Sequence, residues 1–167
     1  MRSWFVRGII IGSGVAVVLV GVAWRSPAVR WTIAEILIDG DQPTLSPDEL
    51  ARALQRDDAP LLLDVRSLDE YRVSRIPGAI HFPPGAPIDL RIERASSVVA
   101  YCSVGVRSGW EVARLRDRGI AAKNLEGAIF LWASEGRPLV DDHGPTKRVH
   151  GYNRFWERAL PAERRNQ

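Results

Sequence analysis

An α/β fold is predicted: a central, mostly parallel sheet flanked by helices, preceded by one transmembrane helix. Three features predict it. Short apolar runs at residues 61–63, 79–82, 97–101 and 122–125 alternate with helical stretches, as strands covered on both faces should. Residues 8–24 form a run of 17 uncharged residues. The 167 residues are 46% hydrophobic and 26% charged, which suits one folded domain with a sizeable core and excludes a disordered chain.

The elements follow in order. Residues 8–24 reach the lower limit for crossing the hydrocarbon layer. Arg7 and Arg25 close the run, and Trp4, Trp24 and Trp31 sit at interfacial positions. A cleaved signal peptide is the rival reading; the run is a little long for one and no clear small-x-small cleavage site follows. The anchor is therefore assigned to residues 1–27 and a juxtamembrane linker to 28–43, ended by Asp39-Gly40-Asp41-Gln42-Pro43. Arg2 and Arg7 balance Arg25 and Arg30. The N-terminal amine tips this single-pass protein toward an exoplasmic or periplasmic body.

Ser46-Pro47-Asp48-Glu49 starts a helix expected to run to about Arg56, with Ser as N-cap, Pro in the first position and acids in the first turn. Further helices are expected over 68–75, 108–118 and 129–134, the last two stopped by Gly119 and Gly136. The body is assigned to 44–142, and an aromatic and basic tail to 143–167, packed as a terminal helix through Phe155, Trp156 and Leu160.

Charge and ligand-type residues narrow the chemistry. Four of the 23 Lys+Arg flank the apolar run, so from residue 40 onward 19 face 18 Asp+Glu, and no basic stripe marks a nucleic-acid binder. Arg154, Arg158, Arg164 and Arg165 read as a solvated helix or tail. The single cysteine excludes an intrachain disulfide and Cys-rich zinc sites. His81, His143 and His150 are too scattered for a ligand set, so neither metal nor cofactor is expected.

The informative place is where the best strand meets the best helix. Cys102 follows the strand's carboxyl end, the position where open α/β sheets bind ligands. Ser103, Val104, Gly105 and Val106 then lead through Arg107 into a helix N-terminus. Successive backbone N–H groups there form a nest for an anion, Gly105 permits the turn, and Arg107 adds a fixed cation. This setting favours a thiolate at Cys102 and an anionic group beside it.

The segment from Leu61 (LLLDVRSLDEYRVSRIPGAIH), with YCSVGVRSG from Tyr101 and NLEGAIFLWASEG from Asn124, resembles a rhodanese-like domain over roughly residues 44–140. The resemblance implies sulfur transfer. Cys102 would carry sulfane sulfur as a persulfide, taken from a small donor such as thiosulfate and passed to a thiol or cyanide, with Arg107 as its catalytic partner and residues 103–106 binding substrate. It further implies that Asp64, Arg66 and Glu70 lie beside the loop and steady it. Related phosphatases and arsenate reductases have one more residue between Cys and Arg, so the loop length speaks for sulfur. The sequence departs from the family pattern at Ser74-Arg75, before I-P-G-A, and in the short proline-rich stretch from Pro83 to Ser97. The alternative function is a membrane-tethered interaction module with a vestigial cysteine.

Overall fold

The computed structural model describes residues 42–166. The predicted anchor and most of the predicted linker lie outside the described residues. Among the described residues, no helix is long and apolar enough to cross a membrane.

Five strands form one parallel sheet in the order β1-β5-β4-β2-β3. They are β1 (Thr44–Leu45), β2 (Leu61–Asp64), β3 (Ile80–His81), β4 (Val98–Tyr101) and β5 (Ala122–Leu125). β4 is buried along its whole length, as its unbroken apolar run requires. Side chains alternate across it. Val98, Ala100 and Cys102 join Leu63, Val112 and Leu115 on one face. Val99 and Tyr101 join Leu50, Ile129 and Phe130 on the other. Cys102 thus continues the strand's alternation one residue past its end.

The helices explain themselves locally. In α1 (Pro47–Ala53), Ser46 and Glu49 form a reciprocal capping box, with Pro47 at the first position. The helix stops three residues short of Arg56. α2 (Leu68–Val73) has the same box from Ser67 and Glu70. α3 (Leu90–Glu93), not anticipated from the sequence, is capped by Asp89 and buries Ile92. α4 (Val106–Arg116) starts two residues earlier than expected, because Gly105 at φ 106° turns the loop directly into the first helical turn. α5 (Ala128–Ser134) buries five of its seven residues. An antiparallel hairpin of β6 (Leu139–Asp141) and β7 (Gly144–Thr146) follows; the boundary assigned at 142 falls in its turn. The tail packs on the domain: Val149, Ala159 and Leu160 are core residues, Trp156 packs against them, and α6 (Arg154–Glu157) is a single turn.

The topology creates the crevice. From β2 the chain steps to the edge strand β3, then crosses back to β4 on β2's other side. The loops after neighbouring β2 and β4 therefore diverge, and such a switch point is where parallel sheets bind ligands.

Candidate active site

Loop 102–107 is held from behind by its carbonyls. The Cys102 and Ser103 oxygens accept from the Ile129 and Phe130 N–H groups, each at 3.2 Å. The Gly105 oxygen accepts from Asn124 Nδ2 at 2.9 Å, Ser108 Oγ at 3.1 Å and the Gly109 N–H at 2.9 Å. The first two donors belong to the start of α5, where Gly127 and Ala128 both adopt positive φ; helix N-termini carry N–H groups free for such use. In a trans peptide, N–H opposes C=O, so the N–H groups following these carbonyls face away from the anchors. The Gly105 N–H donates to Cys102 Sγ at 3.1 Å. Cys102 is 1% exposed, at the base of this loop. Of the other loop residues assigned to substrate, Val104 is buried in the core and Val106 packs against it.

Arg107 does not stand free. Its Nη1 and Nη2 donate to Glu70 Oε2 (2.9 Å) and Oε1 (2.8 Å), and Nη2 also donates to Ser103 Oγ at 2.9 Å. Ser103 Oγ donates to Glu70 Oε1 at 2.8 Å. Glu70, 3% exposed, simultaneously closes the α2 capping box. Burial alone would raise its pKa, but Arg107, the Ser67 N–H and the Ser103 hydroxyl hold it down at about 2. Burial likewise opposes the Arg107 charge, but the Glu70 hydrogen bonds, together with the nearby Cys102, Glu70 and Tyr152 charges, outweigh it, so its pKa is raised. The pair is a fully ionised, bidentate brace between α2 and the loop. The Arg107 guanidinium carbon also lies over the Tyr152 ring, 4.7 Å from its centroid.

Asp64 and Arg66 are placed differently. Both are fully buried at the end of β2. Asp64 Oδ1 accepts from the Arg66 N–H and Nε; Oδ2 accepts from Arg66 Nη2 and from the Tyr101 hydroxyl at 2.8 Å. Tyr101 Oη in turn accepts from the Ile76 N–H, and the Arg66 carbonyl accepts from His81 Nε2. This network ties β2 to β4 one residue before Cys102. Glu70 touches the loop's own side chains, whereas Asp64 reaches it through Tyr101.

Tyr101, Ser108, Asn124 and Tyr152 were not singled out in the sequence. The C-x4-R-S spacing contained Ser108, but Asn124 and Tyr152 come from distant segments and carried no local signal. Among the described residues, no group of three or more His, Cys, Asp or Glu side chains is placed to hold a metal ion.

A model of the rhodanese-like domain matches residues 46–135. The chain is 33% identical over 103 residues to a sulfurtransferase of Allochromatium vinosum, covering 60% of this chain and 96% of that protein. Among solved structures, it is similar to a rhodanese-related protein of Thermoplasma volcanium, with a TM-score of 0.51 and 28% identity, over 59% of this chain and 97% of that one. A thiosulfate sulfurtransferase of Pseudomonas aeruginosa gives a TM-score of 0.53 at 25% identity, over 81% of this chain and 26% of that one.

Proposed function

Because the chain belongs to the rhodanese-like domain family, we propose that it is a sulfurtransferase that carries sulfane sulfur as a persulfide on Cys102. The sulfurtransferases among its relatives support rhodanese-type sulfur transfer at the level of the family. The observation that carries the reading is the seat of Cys102 Sγ: the end of a buried parallel strand, in hydrogen-bond contact with the Gly105 N–H, in a loop whose carbonyls are tied away from it. A nest of backbone N–H groups stabilises negative charge on sulfur without rearrangement.

In the first half-reaction the Cys102 thiolate attacks the outer sulfur of a donor such as thiosulfate. The donor's S–S bond breaks, sulfite leaves, and the terminal sulfur stays on Cys102 as a persulfide. In the second, a thiol or cyanide attacks that outer sulfur and the Cys102 thiolate departs, ready for another cycle. The Arg107–Glu70 brace holds the loop in its anion-accepting shape throughout. No metal or cofactor enters either step.

The test is loading. Purified full-length protein in detergent, incubated with thiosulfate or another sulfane donor, should gain one sulfur atom by intact mass. That atom should map to the peptide containing Cys102 and be lost on reduction. A protein that no sulfane donor loads would instead be an interaction module built on this fold.

We also propose that residues 8–24 anchor the protein in a membrane, with the domain on the exoplasmic side. The support is the uncharged run bounded by Arg7 and Arg25 and its flanking tryptophans. An anchored protein should stay in the membrane fraction through an alkaline wash with its N-terminus intact; release by that wash would refute the anchor.

A further inference from the structure

We propose that Tyr152 is a specificity-determining residue of the Cys102 site, capping Arg107 so that the loop prefers a thiol persulfide, R–S–SH, over dianionic donors such as thiosulfate. The inference rests on the sulfur-transfer reading and names its donor class.

The cation at the end of the loop is already engaged. Both terminal nitrogens of Arg107 donate to the Glu70 carboxylate, one of them also to Ser103 Oγ, and the guanidinium carbon lies over the Tyr152 ring. The Arg107 side chain retains 23% exposure. Thiosulfate would bring two negative charges toward a cation neutralised by a carboxylate that stays ionised. It would have to compete with Glu70 for the same N–H groups or displace the Tyr152 ring to reach them. A thiol persulfide makes no such demand, because its reacting end carries at most one charge. Cys102 is itself 1% exposed, so a donor reaches Sγ only past the groups that line the loop.

The Tyr152 position is built rather than incidental. Its φ is +61°, the left-handed region that a bulky side chain seldom occupies, and such conformations persist only where the surroundings impose them. The surroundings do so from both sides. Before it, Val149 is fully buried and bonded in both directions: its N–H donates to the Arg164 carbonyl at 2.6 Å, and its carbonyl accepts from the Asn166 N–H at 3.2 Å. After it, the Asn153 side chain caps α6, accepting from the Phe155 and Trp156 N–H groups. The Tyr152 N–H donates to His150 Nδ1 at 3.1 Å. Gly151 is pressed so close to α6 that a Cβ there would lie 2.5 Å from Glu157 Cβ. Despite this anchoring Tyr152 is 48% exposed, so its burial does not explain its position. What the ring meets is Arg107. The segment that delivers it lies beyond residues 46–135, the part that the family model matches.

The step balances without another reactant. The Cys102 thiolate attacks the outer sulfur of R–S–SH and the S–S bond breaks. R–S⁻ leaves and takes a proton from water, and Cys102 is left carrying –S–SH. With thiosulfate the same attack expels sulfite, and the two donors differ in the charge brought to Arg107.

The test compares kcat/KM for loading by glutathione persulfide and by thiosulfate in full-length protein. The variants are Tyr152→Gly and Tyr152→Asn, both suited to a left-handed backbone, and Tyr152→Phe, which keeps the ring. Either ring-less variant should raise kcat/KM for thiosulfate by about fivefold, mostly through KM, as loss of a cation–π contact uncovers Arg107. Loading by the persulfide should change by less than about twofold, and Tyr152→Phe should keep the wild-type ratio. Thermal melts check that each variant is folded. An unchanged donor ratio in the folded ring-less variants would overturn the role of Tyr152 while leaving sulfur transfer intact. So would a Phe variant that behaves like them. Wild-type protein that neither donor loads would overturn both.

Discussion

Replacing Cys102 by serine is expected to lower sulfur-transfer turnover by at least about a thousandfold and to abolish loading, because the nucleophile and the covalent carrier are one atom. The chain has a single cysteine, so no second thiol can take the sulfur in its place. The variant should nevertheless fold. Serine is smaller than cysteine, and its hydroxyl can accept the Gly105 N–H that Sγ accepts now. The cost of placing a hydroxyl at a site 1% exposed is about 1–2 kcal/mol. Steady-state thiocyanate formation, intact mass and a thermal melt measure the three quantities. A folded serine variant retaining more than about a tenth of wild-type turnover would remove Cys102 from the chemistry.

Much of the frame was legible because its signals are local. The Ser46-Pro47-Asp48-Glu49 start reappears as a capping box on α1, and the apolar run before Cys102 becomes the fully buried β4. Gly105, expected to make a turn, takes a left-handed conformation as it starts α4. What escaped the sequence depends on pairing across distance. β1 is two residues long and exists because it pairs with β5, whose register places Thr44 beside Asn124. The hairpin β6–β7 is joined to Arg75 by a bridge at Val140, a contact without any sequence period. The site divides in the same way. Glu70 carried a readable sign, since Ser67 and Glu70 have capping-box spacing, but its grip on Arg107 spans 37 residues. The sequence therefore presented Arg107 as an open cation, and the fold presents it as one half of an ion pair. Asn124 holds the Gly105 carbonyl, and Tyr152 is brought to Arg107 by a tail packed through Val149 and Leu160. No pattern of periodicity or motif spacing encodes either contact.

Replacing Asp64 by alanine should destabilise the domain by about 3–5 kcal/mol, a large part of the roughly 5–15 kcal/mol that holds a typical domain together. The carboxylate accepts from the Arg66 N–H, Nε and Nη2 and from the Tyr101 hydroxyl, all in a fully buried setting. Without it, Arg66 would be a buried cation with the Ser74 carbonyl as its remaining side-chain partner, and Tyr101 would keep only the Ile76 N–H. Arg66 cannot escape by losing its proton. Burial opposes its charge, but an arginine stays protonated at any pH the fold survives, and beside Asp64 its pKa is raised further still. The melting temperature should therefore fall by about 10–20 °C. A charge-free pair, Asp64→Leu with Arg66→Met, should recover much of that loss, because apolar residues of similar size replace buried ion pairs at little cost. The activity readout separates scaffold from catalyst. Asp64 reaches the loop only through Tyr101, so well below its melting point the alanine variant should still load sulfur on Cys102. A melting temperature within about 3 °C of wild type would show that the Asp64 network does not hold the domain together. Loss of loading in a folded variant would instead place Asp64 in the chemistry.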